Sequence, residues 1–413
     1  MPMHQETLKK ALWVVMAALV AMPWGCEYKA PPSPWEEFEK EVKAPPEIHA
    51  VIPEADAGCA SEIIIKGAHF SPVITENNVY FNNKPAVIKT ASDTELVVYR
   101  PNVVGDSVAI KITVAGAVEI AQFFPYRMKA VVEKFGPFSG LDAIVAFTVD
   151  KNENVYVAMS NNTVIRLDAQ GFQDLSFLSK APSSLWRDMK VYGDWVYLVR
   201  ANNVIYRASI SDTVVVEYVT LPNRSDRIRT IDFDSNGHLF GGGKNSDLMV
   251  FRSATDYQKL GFYAQYEILS LRVYQEYLYV AANYTGTQPV SVAKGIWRHA
   301  IQSDGTVGAQ EPVLDWSATP YASATISTIT FSENGVMYIA SDHPEYPILM
   351  YNMNTGEFKP LFYKIIPSPV DQIMWGNSTF LYALVNRNTR FDRGGNFLRI
   401  DTGEMGAFYY GRQ

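Results

Sequence analysis

The chain has 413 residues with a formal net charge of −7, 47% hydrophobic and 19% charged residues. That balance excludes wholesale disorder, and the acidic total offers no basic face to a phosphate backbone, so no nucleic-acid partner is expected. The 24 Tyr and 8 Trp suit pleated surfaces and favour an all-β chain.

The first residues carry an address. Lys9 and Lys10 precede an apolar run from Ala11 to Met22, roughly a dozen residues, short for a bilayer span and typical of a secretory signal. Residues 1–25 are therefore expected to direct export. Gly25-Cys26 follows within PWGC and resembles the lipobox of bacterial lipoproteins, although Pro23 and Trp24 stand where that family has Leu and a small residue. The resemblance implies acylation of Cys26 and a place in the bacterial cell envelope, at the outer membrane or cell surface, with the membrane as a partner. Ordinary signal cleavage is the alternative. If Cys26 is lipidated, Cys59 has no partner for an intramolecular disulfide and reads as a small buried hydrophobe. Residues 26–45 are rich in Pro and Glu, as in an extended tether.

Residues 46–127 alternate like half-buried strands in EIIIKG, NNVYFNN, ELVVYR and SVAIKITVAG, which predicts a small sandwich. Pro46, Ile48, Ile52, Pro53, Ile63, Ile65, Gly67, Phe70 and Ser71, continued by Val79, Phe81, Asn82, Ala86 and Val87, resemble an IPT/TIG domain. The resemblance implies an immunoglobulin-like fold and says nothing about a ligand.

In residues 128–413, six stretches such as NVYVAMSNN, WVYLVRANN and VMYIASDHP align on Tyr156, Tyr197, Phe240, Tyr279, Tyr338 and Tyr382. A period of about forty residues with four short strands per unit is that of a propeller blade. Six blades are expected, each opening with an inner strand and a turn like Asp234-Ser235-Asn236-Gly237. The units resemble NHL-type repeats. Ring closure is expected from an N-terminal strand in KAVVEKF, with the C-terminal FYYGR as the alternative.

Within the inner strands, Phe147, Met189, Ile231, Leu271, Ile329 and Ile373 should pack between blades. Ala146, Asp188, Thr230, Ser270, Thr328 and Gln372 should face the axis, followed by Thr148, Lys190, Asp232, Arg272, Thr330 and Met374. These read first as the lining of a hydrated channel in which Lys190, Asp232 and Arg272 neutralise one another. The polar ends of the second strands, Asn161, Asn202, Asn245, Asn283, Asp342 and Asn386, read as turn residues. The loops at that end collect Trp186, Arg187, Arg224, Arg227, Arg229, Tyr284, Tyr321, His343, Tyr346, Arg387, Arg390 and Arg393. Aromatic platforms with Arg forks on loops suit sugars, peptides or carboxylates.

Catalytic motifs are thin: the six histidines are scattered, and HExxH, GxSxG and CxxC do not occur. The reading is therefore a non-enzymatic binding protein without cofactor or metal, whose propeller rim takes a glycan or an envelope protein. Bacteroidetes-type lipoproteins resembling this architecture often accompany polysaccharide uptake systems. The alternatives are a structural envelope protein and a lactonase-like hydrolase holding a metal in the tunnel, for which Asp188, Asp232 and Asp371 are the candidate oxygens.

Overall fold

The computed structural model describes residues 42–139, 142–387 and 397–412, the side chains of 174 and 175 apart. The anticipated anchor at Cys26, the signal and most of the tether lie outside them, as do Arg390 and Arg393. No helix among the described residues is long and apolar enough to cross a membrane.

The fold is all-β, an immunoglobulin-like sandwich followed by a six-bladed propeller. One sheet of the sandwich orders Glu47–Ile52, Glu62–Ala68, Glu95–Tyr99 and Ile88–Ala91, and the other Lys84–Ala86, Asn77–Phe81, Gly105–Val114 and Ala121–Met128. The alternation read from EIIIKG and SVAIKITV is the core pattern: Ile63, Ile65, Ile110 and Ile112 are wholly buried between the sheets, with Phe81, Leu96 and Val98. Each such side chain contributes about 1.5–3 kcal/mol of hydrophobic stabilisation. Tyr126 is buried too, and its hydroxyl donates to the Pro53 carbonyl at 3.0 Å.

Each blade is a four-stranded antiparallel sheet. The inner strands are Ile144–Val149, Asp188–Tyr192, Thr230–Phe233, Tyr266–Tyr274, Ile326–Phe331 and Val370–Trp375, in blades 1 to 6. In Ile144–Val149 all six residues are buried. Alternation fails there because blades cover both faces of a strand, so IVAFTV is a nearly continuous apolar run. The aligned aromatics Tyr156, Phe240, Tyr338 and Tyr382 are all buried. Tyr382 directs its hydroxyl to Glu153 at 3.1 Å, which satisfies the one polar atom it buries.

The ring closes with the N-terminal strand. Val132–Lys134 pairs antiparallel with Phe397–Asp401 through Ile400↔Val132, Arg399↔Glu133 and Leu398↔Lys134, becoming the outer strand of blade 6. Arg399 reinforces the seam by donating to Glu133 at 2.8 Å. Joining the two chain ends in one sheet removes the edges an open ring would expose.

The C-terminal FYYGR does something the sequence did not announce. It crosses the end of the tunnel where the inner strands finish, next to Lys190, Asp232 and Met374. Arg272 stacks on Tyr409 at 3.6 Å and donates to the Ala407 carbonyl, while Arg412 donates to the Trp375 carbonyl. Gly411 lies so close to blade 2 that a Cβ would stand 2.0 Å from the Val191 carbonyl oxygen. Only glycine fits there.

The sandwich rests against blades 5 and 6. Lys129 pairs with Asp401 at 2.8 Å, and Tyr99 of the sandwich meets Tyr363 of the propeller at 4.4 Å between ring centroids. Cys59 is half-buried and free, beside Gly403 of the propeller. Burial pushes its thiol above the ordinary range, which suits a packing role better than a nucleophilic one.

Candidate functional site

Each inner strand enters from a loop on one face of the propeller, and the tunnel opens there. Arg187, Arg229 and Arg387 stand around the opening with Asp371 and Ser327, and Asp188, Thr230, Thr328 and Gln372 lie one residue deeper. The cavity is about 70 Å³. Of the residues expected to face the axis, Asp188, Thr230, Thr328 and Gln372 line the mouth and Thr148, Lys190, Asp232 and Met374 the far end, but Ala146 packs in the core between blades 1 and 2, and the charges pair differently. Lys190 donates to Asp188 at 2.8 Å, and Arg272 faces Asp232 at 3.5 Å. Burial lifts the Asp232 carboxyl against the pull of Arg272 and Lys190.

Asp188 is heavily committed. Its oxygens accept from Lys190, from the Met189 and Ile231 amides and from the Thr230 hydroxyl, all within 3.0 Å. Asp232 accepts from the Val273 amide at 2.7 Å, and Asp371 from the Arg387 amide at 2.7 Å. These are the three carboxylates on which the tunnel-metal alternative depends. Among the described residues no group of three His, Cys, Asp or Glu is placed to hold a metal.

Of the twelve rim residues anticipated from sequence, the ten within the described residues do not form one patch. Arg187, Arg229 and Arg387 converge on the axis. Tyr321, His343 and Tyr346 meet farther out, on loops entering and within blade 5: Tyr321 lies 5.8 Å from both His343 and Tyr346, and His343 lies 4.8 Å from Tyr346. All three are partly exposed. Tyr284 belongs to a third group on blade 4, where its ring meets Tyr266 at 5.0 Å and its hydroxyl donates to Gln265 at 3.1 Å. Arg224 and Arg227 are exposed.

Trp186 is a correction. It was expected on the rim, but it is wholly buried between blades 1 and 2, edge-on to Tyr206 at 5.5 Å. An apolar side chain next to an inner strand gains more by filling the inter-blade core than by facing water.

The blade 5 aromatics continue across the domain junction. Tyr346 stacks on Tyr363 at 5.5 Å, and Tyr363 meets Tyr99. Beside them is a cleft of about 330 Å³, lined by Lys84, Val87, Tyr99 and Asn102 of the sandwich and by Tyr363 and Lys364 of the propeller. Burial, with nearby Tyr346 and Glu62, pushes the Tyr99 phenol up to about 12. Phe362 and Lys364, on either side of Tyr363, hold φ of 48° and 56°, left-handed values that non-glycine residues adopt at a cost of about 1–3 kcal/mol. Neither Tyr99 nor Tyr363 was anticipated, because their meeting depends on how two domains dock.

Of the six polar residues expected to be turn residues at the ends of the second strands, four behave so, whereas Asn283 lies inside the strand Tyr277–Tyr284, paired with Glu267 and Lys294, and Asp342 accepts from the distant Thr325 amide at 2.6 Å. Asn161 and Asn202 accept from the amides of Thr163 and Val204, and Asn245 and Asn386 take left-handed φ of 53°. Asn tolerates this region through local hydrogen bonding.

Comparison with known proteins gives the sandwich a family. Residues 46–126 match the IPT/TIG domain. The IPT/TIG domain thus supplies the wall of the cleft that carries Tyr99. No curated protein matches the sequence. Among solved structures, an auxiliary nutrient binding protein from Bacteroides thetaiotaomicron is similar over 88% of this chain and 98% of its own, at 13% identity and a TM-score of 0.49. A luciferin-regenerating enzyme is similar over 68% of this chain and 98% of its own, at 13% identity and a TM-score of 0.50. At such identities the likeness concerns fold, and function has to be argued from the site.

Proposed function

We propose that this is an exported, lipid-anchored and non-enzymatic binding protein of the bacterial cell envelope, which recognises a glycan at the junction of its IPT/TIG domain and its propeller. The observation that carries this reading is the partly exposed aromatic cluster of Tyr321, His343, Tyr346, Tyr363 and Tyr99 beside a 330 Å³ cleft. Ligand sites favour concave, largely apolar surfaces at domain junctions, with a few polar groups to fix orientation, and their volumes begin near about 300 Å³. Here Lys84, Asn102 and Lys364 supply the polar groups. Tyrosine gives a ligand broad contact at a low entropy cost, since it has few rotors to immobilise.

A glycan array probed with the whole protein and with Tyr346→Ala tests the reading. A sugar bound by the first and lost by the second supports it; an array on which the two proteins are indistinguishable contradicts it. The envelope address rests on Gly25-Cys26 after the apolar run. Cys26→Ser should move the protein from the membrane pellet to the soluble fraction, since buried acyl chains contribute about 0.8 kcal/mol per CH₂. A mutant that stays in a detergent-sensitive pellet rules out lipidation at this cysteine.

A further inference from the structure

The mouth of the tunnel is a second place where chemistry collects, and the domain junction does not explain it. The tunnel is closed at its far end by Tyr409, Gly411 and Arg412, so the opening ringed by Arg187, Arg229 and Arg387 leads into a blind recess of about 70 Å³. The charges around it do not cancel. Among the described residues, Arg187, Arg229, Arg387 and Lys190 face Asp188, Asp371 and Glu267, which leaves one positive charge over.

The three guanidiniums are held differently. Arg229 forms an ion pair with Glu267. Arg387 is fixed by backbone carbonyls, those of Val145, Arg187 and Asp371, and so ties the inner strands of blades 1, 2 and 6 together without neutralising its own charge. Arg187 is exposed, and among the described residues its guanidinium has neither hydrogen bond nor ion pair. Burial pulls Arg387 down to about 10, and Arg187 and Arg229 press it the same way against the opposing influence of Asp371. It remains charged at neutral pH, so the repulsion persists at the mouth.

The geometry points to an anion site at this mouth, with Arg187 as the free fork and Arg387 as the fixed charge behind it, taking a single carboxylate of a small hydroxylated acid. A carboxylate matches the planar fork of a guanidinium and can accept two parallel hydrogen bonds from it. The recess is too small for a whole sugar, so only the acid group and its nearest atoms would enter. Around the opening, the Ser327 hydroxyl donates to the Val370 carbonyl at 2.6 Å and the Thr328 hydroxyl lies 3.4 Å from the Asp371 carbonyl. The Ser327 oxygen can still accept from ligand hydroxyls, and the Thr328 oxygen, which already accepts from the Ile373 amide at 3.2 Å, has one lone pair left to do so. A hexuronate has this combination of one carboxylate and several hydroxyls.

The inference rests on the reading of the propeller as a ligand-binding body, and it fails separately from that reading because Arg187 takes no part in the aromatic cluster. The test is isothermal titration of the full chain with glucuronate, with glucose as the neutral control, and the same titrations with Arg187→Gln and Tyr346→Ala. Arg187 is exposed, so its replacement should leave the melting temperature in place. The expected result is binding of glucuronate but not glucose, weakened by Arg187→Gln about tenfold or more through loss of a charge-assisted fork and left unchanged by Tyr346→Ala. Absent glucuronate binding, equal binding of glucose, or an unaltered affinity in Arg187→Gln would each overturn the assignment. Retained glycan binding at the domain junction in Arg187→Gln would leave the proposed function standing.

Discussion

Trp186→Ala separates a core residue from a binding residue. Trp186 is wholly buried and packs against Val145, Tyr156 and Tyr206 among others in the core shared by blades 1 and 2. Truncation to Ala removes the largest side chain of that core and leaves a cavity its neighbours cannot close. The expected loss is about 3–5 kcal/mol, the range for buried Trp or Phe to Ala. The edge-on contact with Tyr206 falls within that figure rather than adding to it. No hydrogen bond is lost, since the indole nitrogen has no partner among the described residues. Trp186→Phe, which keeps most of the volume and removes the unpaired donor, should therefore cost less than about 1.5 kcal/mol. Urea unfolding followed by tryptophan fluorescence and far-ultraviolet circular dichroism measures both, with ligand affinity recorded in parallel. If Trp186→Ala leaves the unfolding midpoint in place while abolishing binding, the placement of Trp186 in the core is wrong.

Two further perturbations probe the sealed end of the tunnel and the interior of blade 4. Arg272→Ala strands the buried Asp232 carboxylate and releases the stacking and carbonyl contacts to the C-terminal segment. Calorimetric melting should register a loss of about 3–5 kcal/mol, the usual consequence of breaking one side of a buried pair, and an unshifted melt would contradict the sealed end. In blade 4, His299 donates from Nδ1 to the Gly308 carbonyl at 3.0 Å and accepts at Nε2 from the Tyr263 hydroxyl at 2.9 Å. It is thus neutral in the fold, and burial pulls its pKa below the usual 6.5. The unfolded chain then takes up a proton that the folded one refuses. The stability His299 contributes is present above about pH 6.5 and is lost as pH falls toward its folded value. Denaturant titrations at stepped pH should show this slope in the wild type and a shallower one in His299→Gln; equal slopes would contradict it.

The parts of the fold that repeat were the parts legible in sequence. Tyr156, Tyr338 and Tyr382 recur because each blade needs the same buried aromatic in its second strand, and the apolar and polar sets of the inner strands follow from a two-residue period that six blades share. The closing strand was also readable, as KAVVEKF is an apolar strand with no sheet of its own nearby in sequence. What could not be read depends on single, unrepeated contacts. Tyr409 and Arg412 seal the tunnel with no periodic signal, and Tyr99 meets Tyr363 across more than half the chain. Trp186 was misplaced because a loop position next to an inner strand can face water or the inter-blade core, and only packing decides. At the rim, residue types were readable but their grouping was not: Arg187, Arg229 and Arg387 converge on the axis, whereas Tyr321, His343 and Tyr346 gather near the sandwich.

The most direct test of ligand recognition at the domain junction is isothermal titration of the best glycan-array hit into the wild type, Tyr346→Ala and Tyr284→Ala. Tyr346 belongs to the aromatic cluster that runs through Tyr363 to Tyr99, and Tyr284 to the separate group on blade 4. The account predicts that Tyr346→Ala weakens binding by about 1–3 kcal/mol, as expected for an aromatic anchor, while Tyr284→Ala binds like the wild type. Unchanged affinity in Tyr346→Ala, or a loss confined to Tyr284→Ala, would contradict it.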